Sequence, residues 1–493
     1  MQRLIQHLTR RETAHLNNTE ASGFDMIHRQ ILPSHSPTKV FLLSLQPAQA
    51  WMAILGLVLF TALCIVVGEG KILNLAFPAG AFAVGVLLYL RYPTIYVGFT
   101  WWICFLTPLV RRLADYRSGF TDPSPILLAP YLVILVTLAT LWQHLPKTHR
   151  HGGLPFVLTF VGVFYGFLIG LIQGSPIKVT IALLDWLTPV LFGFYLFVNW
   201  RNYGSYRQNI QRTFVWAVLL TGVYGIYQYL VAPPWDRFWM INVNRNSFGL
   251  PEPLGIRVWS TMNAPLVFAV VMMAGLLLLF SYKGPLRLPA SGAGYLAFLL
   301  SLARTAWGGW FVGLLTLASS LKSSLQMRLI ITMMVIAVCV VPLTTIEPFS
   351  EVIHSRLETL SNVEDDGSAQ ARMQIYEYWL DDALNNFQGM GIGNAPGVDS
   401  AILNLLLSLG WLGTIFYMGG MLLLLFELFQ CSESRLDPFA STARAIALGI
   451  FFQLILGSVM IEIPGVVLWG FLGMGMAARK YYQYQPTHGF KEG

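Results

Sequence analysis

Four arginines and one aspartate are the residues most able to do chemistry, because of where they fall relative to the apolar segments. They are Arg257, Arg304, Arg356, Arg372 and Asp399. An arginine guanidinium is planar and permanently charged, and its fork of N–H donors matches the oxygens of phosphate or pyrophosphate. A group of such side chains therefore predicts a binding site for a phosphate-containing ligand.

Arg304 lies in the sequence SLART between two apolar runs, so it is expected inside or beside hydrocarbon. A charged side chain in that position is costly, and it is a candidate functional group by default. The structural alternative is that Arg304 reaches the membrane interface or pairs with an acid such as Asp185. The sequence leaves both interpretations open.

The other three arginines fall in polar sequence near the membrane. Arg257, in GIRVWSTMNAP, directly precedes an apolar segment, whereas Arg356 and Arg372 lie in a long polar stretch. Taken singly, each could equally be a solvated surface charge, as most loop arginines are. Their combination, rather than any one of them, predicts the phosphate site.

Asp399 lies between the glycine-rich stretch GMGIGNAPG, residues 389–397, and an apolar segment that begins at Ala401. A carboxylate at the membrane surface could accept the proton of a sugar hydroxyl as a general base. The alternative is a helix N-cap, a position at which aspartate is favoured. The two roles can coexist.

The composition defines the environment of these residues. The 493 residues are 55% hydrophobic and 11% charged, whereas a soluble domain carries about 25% charged residues. The mean hydropathy is +0.59. Helices are the expected spanning elements, since their backbone groups are hydrogen-bonded internally. The chain is therefore predicted to be an all-α polytopic membrane protein of about 12–14 spans.

Charge and cysteine usage exclude several other classes. The net charge is +7, but the lysines and arginines are dispersed between apolar runs, which indicates topology determinants and no nucleic-acid partner. The 4 cysteines are too scattered for a disulfide framework or a metal site, and no cofactor is expected.

Apolar segments close to the length that crosses a bilayer recur along the whole chain. In the first half they are 51–67, 72–90, 94–110, 126–142, 155–173, 180–200 and 213–231. In the second half they are 265–282, a pair within 292–320, 329–346, 401–429 and 445–477. The last of these is long enough for two short spans broken near Glu462 and Pro464.

Lysines and arginines in short loops favour the cytoplasm. Their distribution predicts a cytoplasmic tail at 1–50, transmembrane helices in 51–346, a large periplasmic loop at 347–400, further transmembrane helices in 401–478 and a cytoplasmic tail at 479–493. This orientation requires the 292–320 pair to turn back near Arg304. It also places two other segments outside, 232–264 and a loop at 111–125 that carries three arginines and two aspartates.

The predicted large loop has internal order. A helix is expected over 368–386, with Arg372, Tyr376 and Trp379 on one face at helical spacing. The glycines of 389–397 then predict a tight, backbone-rich turn. These two elements would place Arg372 and Asp399 near the membrane surface.

Five short stretches occur in order between residues 257 and 413. They are RVWST leading to Asn263 and Pro265, SLARTAW, RLETL from Arg356, DGSAQARMQIYEYWLDDAL from Asp366, and GMGIG followed by VDSAILNLLLSLGWLG. Together they resemble the O-antigen polymerase and O-antigen ligase superfamily of bacterial envelope glycosyltransferases. Ligases of that family often carry a His-Asn pair where this chain has Asp399 and Ser400, which favours a polymerase or a divergent relative.

The resemblance implies a glycosyltransferase of the bacterial cytoplasmic membrane that uses a glycan on undecaprenyl pyrophosphate, outside the membrane and without a nucleotide sugar or metal. It implies donor binding by Arg257 and Arg304, a donor-binding or catalytic role for Arg372, and acceptor activation by Asp399. Arg356 is also assigned to the pyrophosphate site, because its guanidinium matches the oxygens of a phosphate. The implied partners are a glycan or lipid acceptor, membrane lipids, a chain-length regulator and a flippase.

A secondary transporter or flippase is the competing class, with Asp185 and Arg304 as charges on a translocation path. Transporters tend to be built from repeated halves. The sequence shows no internal repeat, and one long asymmetric loop is atypical of transporters. A non-catalytic assembly scaffold is the third interpretation.

Overall fold

The computed structural model describes residues 47–148, 152–243, 246–320, 326–327, 367–430, 437–454 and 457–484. By its internal contacts the chain divides into two units, Met1–Ala53 and Ile54–Gly493. Over the described ranges the second unit is built of helices without a β-strand, apart from an isolated bridge between Gly249 and Ile256.

The α-helices of the described residues are numbered in chain order. They are α1 Ala48–Val67, α2 Gly70–Arg91, α3 Pro93–Ser118, α4 Ala129–Leu135, α5 Leu138–Thr148, α6 Leu154–Gln173, α7 Pro176–Val198, α8 Tyr203–Val231, α9 Pro234–Val243, α10 Pro265–Ser281, α11 Arg287–Leu300, α12 Arg304–Ser320, α13 Gly367–Asn385, α14 Ala401–Gln430, α15 Pro438–Gln453 and α16 Glu462–Tyr484. Short 3-10 turns lie at Pro125–Leu128, Trp200–Asn202 and Asn246–Phe248.

In the part of the chain that the structure describes, 8 helical segments are long and apolar enough to cross a membrane. They comprise all the segments predicted in the first half, with α4 and α5 joined in Pro125–Pro146, and α14 in the second half. The all-α, multi-pass prediction is confirmed at this level. The predicted span at 329–346 and residues 347–366 of the predicted large loop fall outside the described ranges.

Two predicted breaks in the second half are confirmed. The 292–320 pair forms α11 and α12, and the chain turns at residues 301–303, directly before Arg304. The 445–477 stretch forms α15 and α16: α15 ends at Gln453 and α16 begins at Glu462. Helix α16 continues to Tyr484, beyond the predicted end of the transmembrane region.

The helices run in alternating directions, so the second unit has two ends. We call one of them the Arg257 end; it contains the last turns of α3, α6 and α8 and the first turns of α10, α12 and α14. At the other end lie the basic residues Arg91, Arg201, Arg207, Arg212, Lys283, Arg287, Arg444, Arg479 and Lys480. Basic residues also lie at the Arg257 end, among them Arg111, Arg112, Arg117, Lys178 and Arg237, so the predicted orientation stays a prediction.

Helices α6 and α14 approach closely because glycines lie at their crossing. A Cβ added at Gly162 would lie 2.6 Å from the carbonyl oxygen of Gly413 and 2.9 Å from the backbone nitrogen of Tyr417. Small residues of this kind let membrane helices pack backbone to backbone, where lipid supplies no hydrophobic driving force between them. Helix α14 itself is kinked at Gly410, where φ is 62°.

Alanine at Gly162 is expected to destabilise the protein by about 1–3 kcal/mol, because the backbone atoms that its methyl group meets cannot turn away. Gly419→Ala is the matched control, since nothing lies within 4 Å of a Cβ there. That substitution should leave the melting temperature unchanged or slightly raised, because alanine favours helix more than glycine does. Equal melting temperatures for the two variants in detergent would contradict this packing.

Candidate functional site

Arg257 lies in a non-helical segment, residues 256–264, which leads into α10. Its Nη1 donates to the carbonyl of Ser247 at 3.1 Å, and its Nη2 donates to the carbonyl of Leu302 at 3.1 Å. The next residue, Val258, donates its N–H to the carbonyl of Leu300 at 3.0 Å. Since Leu302 lies two residues before Arg304, these bonds bring Arg257 to the start of α12, and we call this meeting of segments the Arg257 junction.

Two residues at this junction have unusual backbone conformations for non-glycine residues. Ser260 and Leu302 both have φ of 53°. Ser260 is held by its N–H bond to Oε1 of Gln228 at 2.8 Å and by its Oγ bond to the carbonyl of Thr221 at 2.6 Å. Such conformations persist only where the surrounding structure over-determines them, and they concentrate at functional sites.

A buried ion pair lies beneath the Arg257 segment. Nε of Arg112, at the end of α3, is 2.9 Å from Oδ1 of Asp236, in α9, and the two side chains are 1% and 0% exposed. Oδ2 of Asp236 accepts hydrogen bonds from Nε2 of Gln228 at 2.7 Å and from the hydroxyl of Tyr224 at 2.9 Å. The two charges are thus paired with each other and also make hydrogen bonds, which offsets the cost of removing them from water.

Both sides of this network bind the backbone that follows Arg257. Arg112 donates from Nη1 to the carbonyl of Met262 at 2.8 Å and from Nη2 to the carbonyl of Ser260. Oε1 of Gln228 accepts from the N–H groups of Trp259 at 3.1 Å and Ser260 at 2.8 Å. The ion pair therefore fixes the path of the segment that carries Arg257.

Two tryptophans enclose the Arg112 guanidinium. Its central carbon lies 5.9 Å from the ring centre of Trp239 and 5.8 Å from that of Trp259, and both rings are buried. A cation held over aromatic faces in a desolvated setting gains cation–π stabilisation. The low dielectric of this buried site also strengthens the attraction between the charges of Arg112 and Asp236.

The prediction of an outer loop at 111–125 is wrong for its first half. Helix α3 continues to Ser118, so Arg111 and Arg112 are helical and buried. Arg111 pairs with Asp115 at 3.3 Å, one turn later, and with Asp122 at 3.4 Å. The spacing of Arg111 and Asp115 is the sequence signal that would have extended the helix.

Helix α13 confirms the helix predicted over 368–386, and two of the three residues predicted to share one face, Tyr376 and Trp379, pack on the bundle. Tyr376 and Trp379 lie with Ala383 against Leu403 and Leu407 of α14. The backbone of Arg372 belongs to this helix. Its side chain and the whole of Arg356 are beyond what the structure describes, so their roles remain predictions.

The glycine-rich stretch is a tight turn, as predicted. Gly389, Gly391 and Gly393 have φ of 76°, 79° and 86°, values that favour glycine. A Cβ at Gly391 would overlap the backbone of Gly170, at the end of α6. The N–H of Ile392 donates to the carbonyl of Gly166 at 2.9 Å, so the turn packs directly on α6.

Asp399 is exposed at the Arg257 end, immediately before α14. Ser400, rather than Asp399, occupies the N-cap position: its carbonyl accepts the N–H of Asn404 at 2.9 Å and its Oγ accepts that of Leu403 at 3.5 Å. By these bonds Ser400, one residue after Asp399, stands at the N-cap position of α14.

Contacts through the α15–α16 break connect the region of Asp399 to the start of α10. The N–H of Ala401 donates to the carbonyl of Leu454 at 3.2 Å, and Nδ2 of Asn404 donates to Oγ of Ser458 at 3.1 Å. A Cβ at Gly457 would be 3.2 Å from the side chain of Leu266, in the first turn of α10. Asp399 and the Arg257 junction thus lie at one end of the same packed unit.

Asp185 was the acid suggested as a partner of Arg304. The structure places it on α7, where its carboxylate accepts a hydrogen bond from the hydroxyl of Tyr131 on α4. This pairing of α4 with α7 gives Asp185 a structural role between two spans. A carboxylate inside the membrane is a costly group, whether it serves as a contact between spans or as part of a translocation path.

Removing one partner of the buried ion pair should be strongly destabilising. Asp236→Ala leaves the Arg112 charge buried and is expected to cost about 3–5 kcal/mol. Asp122→Ala is the control, because its side chain is 70% exposed in its pair with Arg111, and exposed pairs contribute about 0–1 kcal/mol. Thermal unfolding of both variants in detergent measures the difference, and similar melting temperatures would show that the buried pair does not stabilise the fold.

Comparison of the chain with protein-family models and with curated proteins finds no match. The resemblance to the polymerase and ligase superfamily therefore rests on the five short stretches between residues 257 and 413 alone.

Proposed function

We propose that this chain is a membrane glycosyltransferase that polymerises or transfers oligosaccharide repeats carried on undecaprenyl pyrophosphate, at the outer face of the bacterial cytoplasmic membrane. The observation that carries the proposal is the junction of Arg257 and Arg304. Arg257 bonds the backbone two residues before Arg304, at one end of a helical bundle with apolar spans. A lipid-linked pyrophosphate would present its charged group at that level.

Arginines at such a junction suit the chemistry of glycosyl transfer from a pyrophosphate. As the bond between the anomeric carbon and the pyrophosphate oxygen breaks, negative charge grows on the leaving group. Guanidinium groups already in position stabilise that developing charge more than they stabilise the bound substrate, and this difference accelerates the reaction. The hydrogen bonds of Arg257 to Ser247 and Leu302 hold its guanidinium in place before a substrate arrives.

Asp399 supplies a base for the acceptor in this proposal. Its carboxylate is exposed at the same end and is not the N-cap of α14. The acceptor hydroxyl oxygen would form the new bond to the anomeric carbon while its proton passes to the carboxylate. The pyrophosphate departs on its polyprenyl carrier with the bonding electrons, so the step needs neither a metal nor a cofactor.

The residues at 399 and 400 favour polymerisation over ligation, because the His-Asn pair frequent in the resembled ligases is replaced by Asp-Ser. The acceptor would then be a second lipid-linked glycan, with a flippase supplying the donor and a chain-length regulator as further partner. Transfer to a lipid acceptor is the alternative within this class. Transport is the alternative outside it, and Asp185 within α7 is the observation that supports it.

Loss of the Arg257 or Arg304 guanidinium should abolish glycan extension. Arg257→Ala and Arg304→Ala are each expected to lower the rate about 100-fold or more, as does removal of one donor to a developing oxyanion. Arg257→Lys should not restore activity, because a lysine cannot bond two carbonyls in a fixed fork. Arg237→Ala is the matched control, an exposed arginine at the same end.

The measurement is the chain-length profile of surface polysaccharide in a deletion strain restored with each variant. Single lipid-linked repeats in place of long chains would indicate a polymerase. Long chains that stay on the polyprenyl carrier would indicate a ligase. A normal profile for the Arg257 and Arg304 variants, at membrane levels equal to the control, would refute the proposed donor site.

Asp399→Asn tests the base separately from the donor site. The amide keeps the size of the side chain but cannot take a proton, so extension should fall by about 100-fold or more while donor binding is kept. Donor binding can be followed as retention of lipid-linked repeats on the purified protein. Full extension by Asp399→Asn would remove Asp399 from the mechanism and leave the arginines untouched.

A further inference from the structure

Helix α13 has one face covered by the bundle. Tyr376, Trp379 and Ala383 pack on the first turns of α14, and the indole N–H of Trp411 donates to the carbonyl of Leu384 at 3.2 Å. The helix thus lies alongside the start of α14 at the Arg257 end. Its position is fixed by this contact.

A second set of apolar side chains on α13 and directly after it is exposed. Met373, Leu380, Leu384 and Phe387, which we call the apolar stripe, are 68%, 39%, 42% and 71% exposed. Met373, Leu380 and Leu384 lie on one side of the helix, next to the covered face, because their spacings are seven and four. Phe387 lies just beyond the end of the helix at Asn385. Asp382 and Asn385 are exposed on the other sides, together with Tyr378 and Ile375.

The chain that follows α13 packs along α6, one of the predicted spans. Nε2 of Gln173, the last residue of α6, donates to the carbonyl of Gly389 at 3.4 Å, and the carbonyl of Gly166 accepts the N–H of Ile392. Seven residues of helix separate Gly166 from Gln173, a distance of about 10 Å. The segment that leaves α13 therefore lies level with the last turns of α6, a helix long and apolar enough to span a membrane.

The apolar stripe continues the lipid-facing surface of the neighbouring spans. On α6 that surface reaches Ile172, and on α14 it includes Leu412 and Ile415, all of which are exposed large apolar side chains. The ring centre of Phe387 is 6.2 Å from that of Trp411, the residue directly before Leu412.

We infer that α13 is an interfacial helix whose apolar stripe inserts among the acyl chains of the leaflet at the Arg257 end, with Asp382 and Asn385 in water. An amphipathic helix with one apolar side and one polar side adopts this position at a bilayer surface. The insertion is tilted, deepest at Phe387, because the following turn enters the bundle beside α6. It does not depend on the chemistry proposed for the arginines.

Collision accessibility of nitroxide labels tests the insertion in the full chain. The four native cysteines are replaced by alanine. Labels are then attached to Leu384→Cys and Phe387→Cys, with Asp382→Cys and Asn385→Cys as matched controls. In lipid nanodiscs, oxygen and a water-soluble nickel chelate compete for each label. Labels at Leu384 and Phe387 should lie about 5–10 Å below the phosphate level, and those at Asp382 and Asn385 should be open to the chelate.

Either of two results would overturn the inference. Equal access of the chelate to all four labels would place the stripe in water. Exclusion of both reagents at Leu384 and Phe387 would mean that protein, not lipid, covers it. Because Phe387 touches Trp411, a label at Leu380, outside that aromatic contact, serves as the second probe: it should also favour oxygen, at a shallower depth than the label at Leu384.

Discussion

The buried ion pair of Arg112 and Asp236 is the interaction on which the candidate site depends. Withdrawing two charges from water carries a desolvation cost that attraction alone often fails to offset. Here each partner also makes hydrogen bonds: Arg112 to the carbonyls of Ser260 and Met262, and Asp236 to Gln228, which itself holds two backbone N–H groups. The pair thereby connects α3, α8 and α9 to the segment that carries Arg257.

Irregular backbone is concentrated at the same end of the helical unit. The turn before Arg304, the glycine turn at 389–393 and the α15–α16 break all lie there, packed on the ends of regular spans. Non-helical backbone near membrane depth is tolerated only where protein or a wet cavity satisfies its polar groups. The Arg257 end therefore gathers irregular backbone, the guanidinium groups of Arg112 and Arg257, and the carboxylate of Asp399.

Much of the fold could be predicted from the sequence because its signals are local. Apolar length predicts the spans of the first half, the spacing in 368–386 predicts α13, and the glycines of 389–397 predict the turn. The Arg112–Asp236 pair could not be predicted, because the two residues are far apart in sequence. Each one lies in a segment whose composition is typical of a loop. The cap at Ser400 was missed because Asp399 is an equally good N-cap by type, and only the hydrogen bonds distinguish the two. The sequence predicts that Arg257 and Arg304 share a phosphate site, but it does not predict the hydrogen bond from Arg257 to Leu302.

Hydrogen exchange of the backbone at residues 258–262, measured by mass spectrometry in nanodiscs, tests most directly whether the buried pair positions the Arg257 segment. The variant is Asp236→Asn, which keeps the shape of the side chain but removes its charge. The account predicts strong protection of the Trp259 and Ser260 amides in the intact protein and faster exchange in the variant, with α10 still protected. Equal protection of residues 258–262 in both proteins would contradict it.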